Sequence, residues 1–224
     1  MAKHVDYYLS LNSPWAYLAS KRFEAIAKKH GADVTIWPVD FGSVFSVSGG
    51  LPLPKRAPQR QAYRMMELKR WRDHLGVKVT LEPKFFPANE VPAARCVVAL
   101  REQGRMADAI KLAHAVLNAL WTEERNTGDP ATLKAIIAGC GLDSDAVMKA
   151  GEAPQTAAKR EEYTKHAIDQ GVFGAPFFVI DGERFWGQDR LDFVDRKLAA
   201  SLPASNAGSP VHRASAGRAL NRLS

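Results

Sequence analysis

Residues 5–15 read VDYYLSLNSPW, and this stretch decides the fold. Residues 5–11 are rich in β-branched, aromatic and other apolar residues and predict a strand. Ser13 then opens a helical pattern, because serine can accept a hydrogen bond from a free N–H of the first turn and Pro14 needs no N–H at the first helical position. We therefore expect a strand followed directly by a helix over residues 14–30.

A second strand and a long helical block follow. The strand is expected over 34–39, with Pro38 at its end or at a sheet edge. Residues 41–56 are rich in Gly, Ser and Pro and predict a long loop, and residues 78–81 predict a short extended piece. Gly and Pro breaks then divide the chain into predicted helices at 58–75, 91–103, 105–124, 131–139, 143–150 and 155–170.

Strands return near the end of the chain. Two are expected, over 176–181 and 183–186, joined by a tight turn at Asp181-Gly182, and a last helix is expected over 189–200. The order is therefore βαβ, a helical block, then ββα. This order predicts an α/β protein with a thioredoxin-like fold (βαβ…ββα) and a large inserted all-helical subdomain.

The same pattern divides the chain into parts. Residues 1–40 and 171–201 are expected to form the thioredoxin-like domain. Residues 41–170 are expected to form the inserted loop and helical subdomain. Residues 202–224 are dominated by small and polar residues, cannot build a core, and predict a disordered tail.

Composition excludes several classes of function. The chain has 224 residues and a formal charge of +7, of which Arg213, Arg218 and Arg222 supply three. The remaining excess of positive charge is mild. The chain has no basic stripe with interleaved aromatic residues, which is the pattern that predicts nucleic-acid binding. The sequence contains no run of about 18 apolar residues, so a membrane span is not expected. The first residues lack a signal-peptide core, so a cytoplasmic location is expected.

The two cysteines predict neither a redox pair nor a metal site. Cys96 and Cys140 are far apart in sequence and belong to no Cys-x-x-Cys motif, so we expect buried or inert thiols. The six histidines show no metal-ligand spacing, so no metal is expected.

Ser13 is the first residue with chemistry to offer. The N-terminus of a helix carries free N–H donors and a partial positive charge, which stabilise a bound anion such as a thiolate. A serine hydroxyl can donate a hydrogen bond to that sulfur but cannot form a disulfide. Taken alone, Asn12-Ser13-Pro14 is also an ordinary helix cap. Two later motifs favour the interpretation that Ser13 belongs to a thiolate-binding site.

Those motifs flank the last two strands. Ala175-Pro176 leads into the first of them, and the backbone of Ala175 could pair with an extended peptide as a strand does. The alternative is an ordinary proline at a strand start. Gly187-Gln188-Asp189 is expected to open the last helix with Asp189 as its N-cap, where the helix end could bind a carboxylate and Asp189 an ammonium group. The alternative is capping alone.

Together these motifs resemble those of 2-hydroxychromene-2-carboxylate isomerases and kappa-class glutathione transferases, over about residues 5–200. The resemblance implies a thioredoxin fold with a helical insertion, a glutathione cofactor and a homodimer. It rests on Ser13-Pro14-Trp15 with Tyr17-Leu18-Ala19, Tyr63 with residues 67–71 (ELKRW), Ala119-Leu120-Trp121, residues 171–176 (GVFGAP) and residues 185–191 (FWGQDRL).

By that resemblance, Ser13 is the catalytic residue and faces the glutathione thiolate. The implied glutathione-binding residues are Ser13, Arg60, Ala175, Pro176, Trp186, Gly187, Gln188 and Asp189. The implied reaction is a cis-trans isomerisation of 2-hydroxychromene-2-carboxylate, or a related aromatic-degradation intermediate, by reversible addition of the thiolate.

The chain departs from that pattern at three positions. The naphthalene-pathway isomerases place a lysine, an asparagine and a tyrosine where this chain has Phe45, Gly50 and Phe86. Polar contacts to the substrate or the glutathione pocket are lost there. Lys55, Arg56 and Arg60 are candidates to replace them.

Two other functions stay open. One is a kappa-like transferase that conjugates glutathione to electrophiles, and the other is a non-catalytic thioredoxin-fold binding module. A disulfide oxidoreductase is not expected, because neither Ser13 nor Ala16, three residues on, is a cysteine.

Overall fold

The computed structural model describes residues 2–200, and the predicted tail at 202–224 lies outside the described residues. The described part contains four strands: β1 (His4–Leu9), β2 (Asp33–Pro38), β3 (Phe177–Ile180) and β4 (Glu183–Trp186). They form one mixed sheet in the order β2-β1-β3-β4. β1 pairs parallel with β2 and antiparallel with β3, and β3 pairs antiparallel with β4. The predicted thioredoxin-like fold is confirmed, with Pro38 ending a strand at the sheet edge.

The helices of the described part follow the predicted segments closely. They are α1 (Pro14–His30), α2 (Phe41–Ser48), α3 (Pro58–Leu75), α4 (Val91–Glu102), α5 (Met106–Thr122), α6 (Pro130–Gly139), α7 (Ser144–Glu152), α8 (Pro154–Asp169) and α9 (Leu191–Ala199). Short 3-10 turns occupy Leu53–Lys55 and Gln188–Arg190. None of the helices in residues 2–200 combines the length and the apolar character needed to cross a membrane.

Three local predictions were wrong. Residues 41–48 form α2 rather than loop, because Asp40 caps the helix by accepting from Gly42 N–H at 2.9 Å, and Phe41 and Val44 bury its inner face. Residues 78–81 form no strand, although Thr80 N–H donates to the backbone carbonyl of Trp121 at 2.7 Å. Asp189 does not cap α9, because it lies within a 3-10 turn and Arg190 holds the cap position.

The inserted helices share their core with the sheet. Tyr7 of β1 stacks on Phe178 of β3, with ring centroids 5.1 Å apart, and Phe23 of α1 packs on both rings. The same buried cluster continues into α4 and α5 through residues such as Val97 of α4 and Leu117 of α5. This continuity fixes the inserted helices against α1 and the sheet, while the proposed division of the chain at residues 41 and 171 stays a prediction.

The two cysteines lie in this core. Cys96 and Cys140 are both free and buried. Burial raises the pKa of Cys96 to about 12 and raises the pKa of Cys140 as well. Neither thiol is set up to ionise near neutral pH. Residues 2–200 also hold no cluster of side chains able to bind a metal ion.

Candidate active site

Ser13 joins the two ends of the predicted site. Its hydroxyl caps α1 by accepting from Ala16 N–H at 3.1 Å, and it lies 3.4 Å from the backbone carbonyl of Ala175, to which it donates. A distance of 3.4 Å is long for an O–H donor, so this second hydrogen bond is weak. The hydroxyl hydrogen is therefore held only loosely by the protein itself.

The start of α1 offers further donor capacity. Pro14 has no N–H, and the next N–H along the helix, that of Trp15, has no acceptor among the described residues. The first turn of α1 carries no acidic side chain. A free N–H and the positive end of the helix dipole together favour an anion beside Ser13.

Ala175 lies just outside the strand ladder. The Ala175–Pro176 peptide bond is cis. The pairing between β1 and β3 starts only at Phe177, which lies opposite Tyr8. The backbone carbonyl of Pro176 accepts from Gly187 N–H at 3.0 Å and is therefore already paired. The Ala175 backbone is thus the first position beyond the ladder at this end of the sheet, next to Ser13.

Trp186 covers the backbone on the other side of Ala175. Its indole packs directly against Gly174, where a Cβ atom would collide with the ring. The indole is 52% exposed and meets Phe173 edge-on, with centroids 4.9 Å apart. Gly174 is required by this close approach, and the exposed indole forms one wall beside Ala175.

The turn after Trp186 is held by hydrogen bonds from a residue of α1. Gly187 has φ 107°, a conformation that L side chains rarely adopt. Gln188 is buried, and its side-chain oxygen and backbone carbonyl both accept from the Arg22 guanidinium, at 2.6 and 3.2 Å. Asp189 is exposed, with one carboxylate oxygen 2.9 Å from Arg190. Asp189 can therefore reach a ligand, whereas the Gln188 oxygen is committed to holding the turn.

Arg60 lies apart from these groups. It is exposed near the start of α3, and none of the hydrogen bonds or ion pairs in residues 2–200 joins it to the Ser13 turn. Burial lowers the pKa of Arg56, and the nearby positive charge of Arg60 lowers it further. The structure thus places Arg60 near Arg56, and no contact in the described residues joins it to Ser13.

Two side chains missed by sequence analysis hold the Ser13 turn in place. Asn12 Nδ2 donates to the Ala88 carbonyl at 2.8 Å, and Asn12 Oδ1 accepts from Ala88 N–H at 3.0 Å. Glu90 accepts from Ser10 Oγ at 2.6 Å and from Asn12 N–H at 3.1 Å, and its other oxygen lies 3.4 Å from Arg160. The segment before α4 therefore acts as a clamp on residues 10–13.

Glu90 is mostly shielded from solvent, with 17% of its side chain exposed. Burial raises the pKa of its carboxyl, while the hydrogen bond from Ser10 and the charge of Arg160 act in the opposite direction. The only sequence signal for this clamp is the polar segment PANE at 87–90, directly before an apolar helix. Nothing in that segment reveals its partner some 78 positions away.

The three apolar departures lie in two places. The Phe45 ring packs against Gly50, where a side chain would collide with it. Phe86 packs on the buried ring of Trp121, with centroids 4.9 Å apart. The positions that lost polar groups thus form packed apolar surface.

Comparisons with known proteins identify the family and similar enzymes. The family profile described as a DSBA-like thioredoxin domain matches residues 4–199. The chain is 28% identical to a 2-hydroxychromene-2-carboxylate isomerase of Sphingobium xenophagum, covering 88% of this chain and 99% of the relative. It is 29% identical to the enzyme of that name from Pseudomonas putida, covering 87% and 93%.

Solved structures give the same picture. A 2-hydroxychromene-2-carboxylate isomerase structure superposes with a TM-score of 0.74 at 26% identity, covering 86% of this chain and 93% of that one. The cytosolic disulfide reductase DsbM from Pseudomonas aeruginosa, solved with GSH, has a TM-score of 0.61 at 18% identity, covering 88% and 96%. The second likeness shows the shared fold alone.

Proposed function

We propose that this chain, which belongs to the DSBA-like thioredoxin domain family, is a glutathione-dependent isomerase. Its reaction would be the cis-trans isomerisation of 2-hydroxychromene-2-carboxylate to trans-o-hydroxybenzylidenepyruvate, or that of a related aromatic-degradation intermediate. The similarity to isomerases of this name over 87–88% of the chain supports the reaction class. The observation that carries the proposal is the position of the Ser13 hydroxyl, 3.4 Å from the Ala175 carbonyl at the start of α1.

The residues around Ser13 fit glutathione. A thiolate is an anion, and it suits a helix N-terminus with a free Trp15 N–H and a loosely held hydroxyl. Glutathione is also an extended peptide, and Ala175 lies at the first backbone position beyond the strand ladder. The exposed carboxylate of Asp189 suits its α-ammonium group, with Trp186 alongside.

Once the ring C–O bond of the cyclic hemiketal has opened to give the phenol and the conjugated α-keto acid, glutathione, when bound, would supply a thiolate that adds reversibly to the conjugated double bond, allows rotation about the resulting single bond, and leaves again. Ser13 would donate its hydroxyl hydrogen to the sulfur, giving up the weak bond to Ala175. The α1 N-terminus would stabilise the same negative charge. Each pKa unit by which these groups lower the thiol pKa is worth about 1.4 kcal/mol in favour of the thiolate.

The same site does not suit disulfide exchange. The helix start carries Ser13 and Ala16, neither of which has sulfur. The cysteines of the described part are buried, with their thiol pKa values raised by burial. No cysteine is therefore available at the position where a disulfide-exchanging member of the fold would need one.

A thermal-shift titration with glutathione is the first experiment. Stabilisation should grow with glutathione concentration as RT ln(1 + [L]/Kd), and the absence of any shift at millimolar ligand would favour a binding module without glutathione chemistry. Turnover of 2-hydroxychromene-2-carboxylate without loss of glutathione supports the isomerase. Consumption of glutathione with chlorodinitrobenzene, and no isomerisation, would instead assign a kappa-like transferase.

Ser13→Ala tests the role of the hydroxyl. The variant should lose most of the glutathione-dependent rate, whereas loss of the cap should lower the free energy of unfolding by only about 1 kcal/mol. Asp143→Ala is the matched control, because Asp143 caps α7 by accepting from Ala146 N–H at 3.1 Å. It should lose similar stability and keep its rate. An unchanged rate in Ser13→Ala would remove the basis of the proposal.

The homodimer remains a prediction from the resemblance, and the cytoplasmic location remains a prediction from the first residues of the sequence. Light scattering after size-exclusion chromatography tests the first, and fractionation of the source cells tests the second.

A further inference from the structure

Arg64 occupies an unusual position for a charged side chain. It lies on α3, half-buried, with its guanidinium carbon 5.3 Å from the centre of the Phe86 ring and 6.0 Å from that of Trp121. Its polar contact within the chain is a weak one, 3.6 Å from the sulfur of Met65. A guanidinium held against two aromatic faces keeps its charge but loses much of its water.

No acid in the described part neutralises Arg64 or its cationic neighbours. Within residues 2–200, no ion pair involves any of four neighbouring cations, Lys55, Arg56, Arg60 and Arg64. Arg56 donates only to the Leu51 carbonyl, at 2.7 Å. Burial and the charge of Arg56 lower the pKa of Arg64 to about 10, so it is still a cation at neutral pH. Arg56 and Arg64 are half-buried without a counter-charge in the described part, and this favours binding of an anion from outside the chain.

Arginines further along the same helix behave differently. Arg70 pairs with Glu67, and Arg72 lies 2.8 Å from Asp73. Acidic partners are thus present for arginines in the C-terminal half of α3 and missing, among the described residues, for Arg64 in its N-terminal half. The contrast separates an ordinary solvated helix face from a group of cations that has no partner.

A short chain of contacts links Arg64 to Ser13. Arg64 packs over Phe86, which is two residues from Ala88. Both backbone groups of Ala88 are paired with the side chain of Asn12, the residue before Ser13. Arg64 is therefore connected to the turn before Ser13 through the segment at residues 86–88.

We propose that Arg64 binds the carboxylate of the substrate and so selects an anionic, conjugated acid for the Ser13 site. The proposal rests on the proposed function, because it takes Ser13 as the place where the thiol meets the substrate. A guanidinium matches a carboxylate with two parallel N–H···O bonds, and the flat aromatic surface beneath it suits a planar conjugated chain. Arg56, Arg60 and Lys55 would add a positive field around it.

Two further observations fit this role. The Nε1–H of Trp121, next to Arg64, is buried without an acceptor among the described residues. Among the departures from the isomerase pattern, Phe86 lies against Arg64, and neither it nor Phe45 and Gly50 offers a polar side-chain group. Arg64 is consequently the half-buried cation left at this end of α3 to recognise a carboxylate.

The test compares a charged probe with its neutral twin. Binding of trans-benzylidenepyruvate and of its methyl ester to the full chain is measured by calorimetry, with and without millimolar S-methylglutathione, whose sulfur cannot add to the probe. The wild type should bind the acid about tenfold or more tighter than the ester, the range expected for a charge-assisted hydrogen bond. Arg64→Met should lose most of this preference, keeping only what the positive field of the neighbouring cations supplies, and Arg64→Lys should keep a larger part of it.

Arg72→Met is the matched control, because it removes a cation from the same helix that already has an acidic partner. It should keep the wild-type preference for the acid. Equal binding of acid and ester by the wild type, or an undiminished preference for the acid in Arg64→Met, overturns the proposal. If circular dichroism shows that Arg64→Met does not fold, the preference for the acid is measured in Arg64→Gln and Arg64→Lys instead. An undiminished preference in Arg64→Gln would then overturn the proposal.

The two proposals fail separately in this design. An acid preference that depends on Arg64, in a chain that binds no S-methylglutathione, would support the carboxylate site and refute the glutathione-dependent isomerase. Binding of S-methylglutathione without an acid preference would leave the glutathione site standing and refute the role of Arg64.

Discussion

The side chain of Asn12 is paired with both backbone groups of Ala88, donating at 2.8 Å and accepting at 3.0 Å. This pair ties the residue before Ser13 to the segment that precedes α4. Glu90, two residues after Ala88, adds hydrogen bonds from Ser10 Oγ and Asn12 N–H. The position of the Ser13 hydroxyl is therefore set by the inserted helical part of the chain as well as by α1.

Asn12→Asp should weaken this clamp. The carboxylate can still accept from Ala88 N–H but cannot donate to the Ala88 carbonyl, and a buried acceptor left without a donor costs about 1–3 kcal/mol. The free energy of unfolding, measured in urea, should fall by that amount, and the glutathione-dependent rate should fall as well. Asn89→Asp is the control, because Asn89 only accepts, from Val91 N–H at 3.2 Å. Equal stability losses in the two variants would show that the clamp is not important.

Gly174→Ala should displace the Trp186 indole, because the added methyl group would collide with the ring. Since the indole is exposed, it can move outward, and we expect weaker glutathione binding with only a small loss of stability. Isothermal titration with glutathione measures the first and thermal unfolding the second. Gly139→Ala is the control, because a Cβ atom there meets nothing within 4 Å. Unaltered glutathione affinity in Gly174→Ala would argue against Trp186 as a wall of the site.

Arg22→Met should loosen the turn at Gly187–Asp189. The variant removes two hydrogen bonds to Gln188, and the buried side-chain oxygen would lose its donor. We expect a loss of about 1–3 kcal/mol in the free energy of unfolding and a rise in the Kd for glutathione. Lys21→Met, one residue earlier on α1, removes an exposed ion pair with Glu24 and should change neither quantity appreciably. A stable Arg22→Met variant with normal glutathione affinity would refute this role.

His114 should make the stability of the protein depend on pH. Its ring lies 2.7 Å from Ser20 Oγ, and burial lowers the pKa of His114 from 6.5 to about 4. The unfolded chain therefore takes up this proton first as the pH falls, so the folded state loses stability between about pH 6.5 and 4. His114→Asn should show a shallower loss over that range in urea titrations. The control is His74→Asn, an exposed position on α3, and its curve should keep the wild-type slope. A wild-type slope in His114→Asn as well would mean that His114 does not cause the pH dependence.

Local patterns were enough for most of the secondary structure. Caps such as Ser13-Pro14 and breaks such as Asp129-Pro130 fix where helices begin, because they act on the nearest turn of backbone. Composition misled at residues 41–48, where Ser and Gly suggested loop. There the Asp40 cap and the burial of Phe41 and Val44 outweigh weak helix propensity.

The candidate site was only partly accessible from the sequence. Ser13, Ala175 and Trp186 sit in recognisable motifs, and the structure brings the first two together. Gln188 proves to be held inside by Arg22, a pairing that no local spacing predicts. Asn12, Glu90 and Arg64 were missed because each acquires its significance from a partner distant in sequence.

The sequence by itself determined the order of strands and helices, the serine at the start of α1 and the absence of a cysteine beside it. These are properties of neighbouring residues, and hydrophobic period, capping chemistry and side-chain type specify them without reference to the rest of the chain. Tertiary structure alone decided that Ser13 meets Ala175, that Ala88 and Glu90 hold the turn, and that Arg64 has no acidic partner within residues 2–200. Contacts across 76–162 positions depend on how the inserted helices pack against the sheet, and that packing is a property of the whole core.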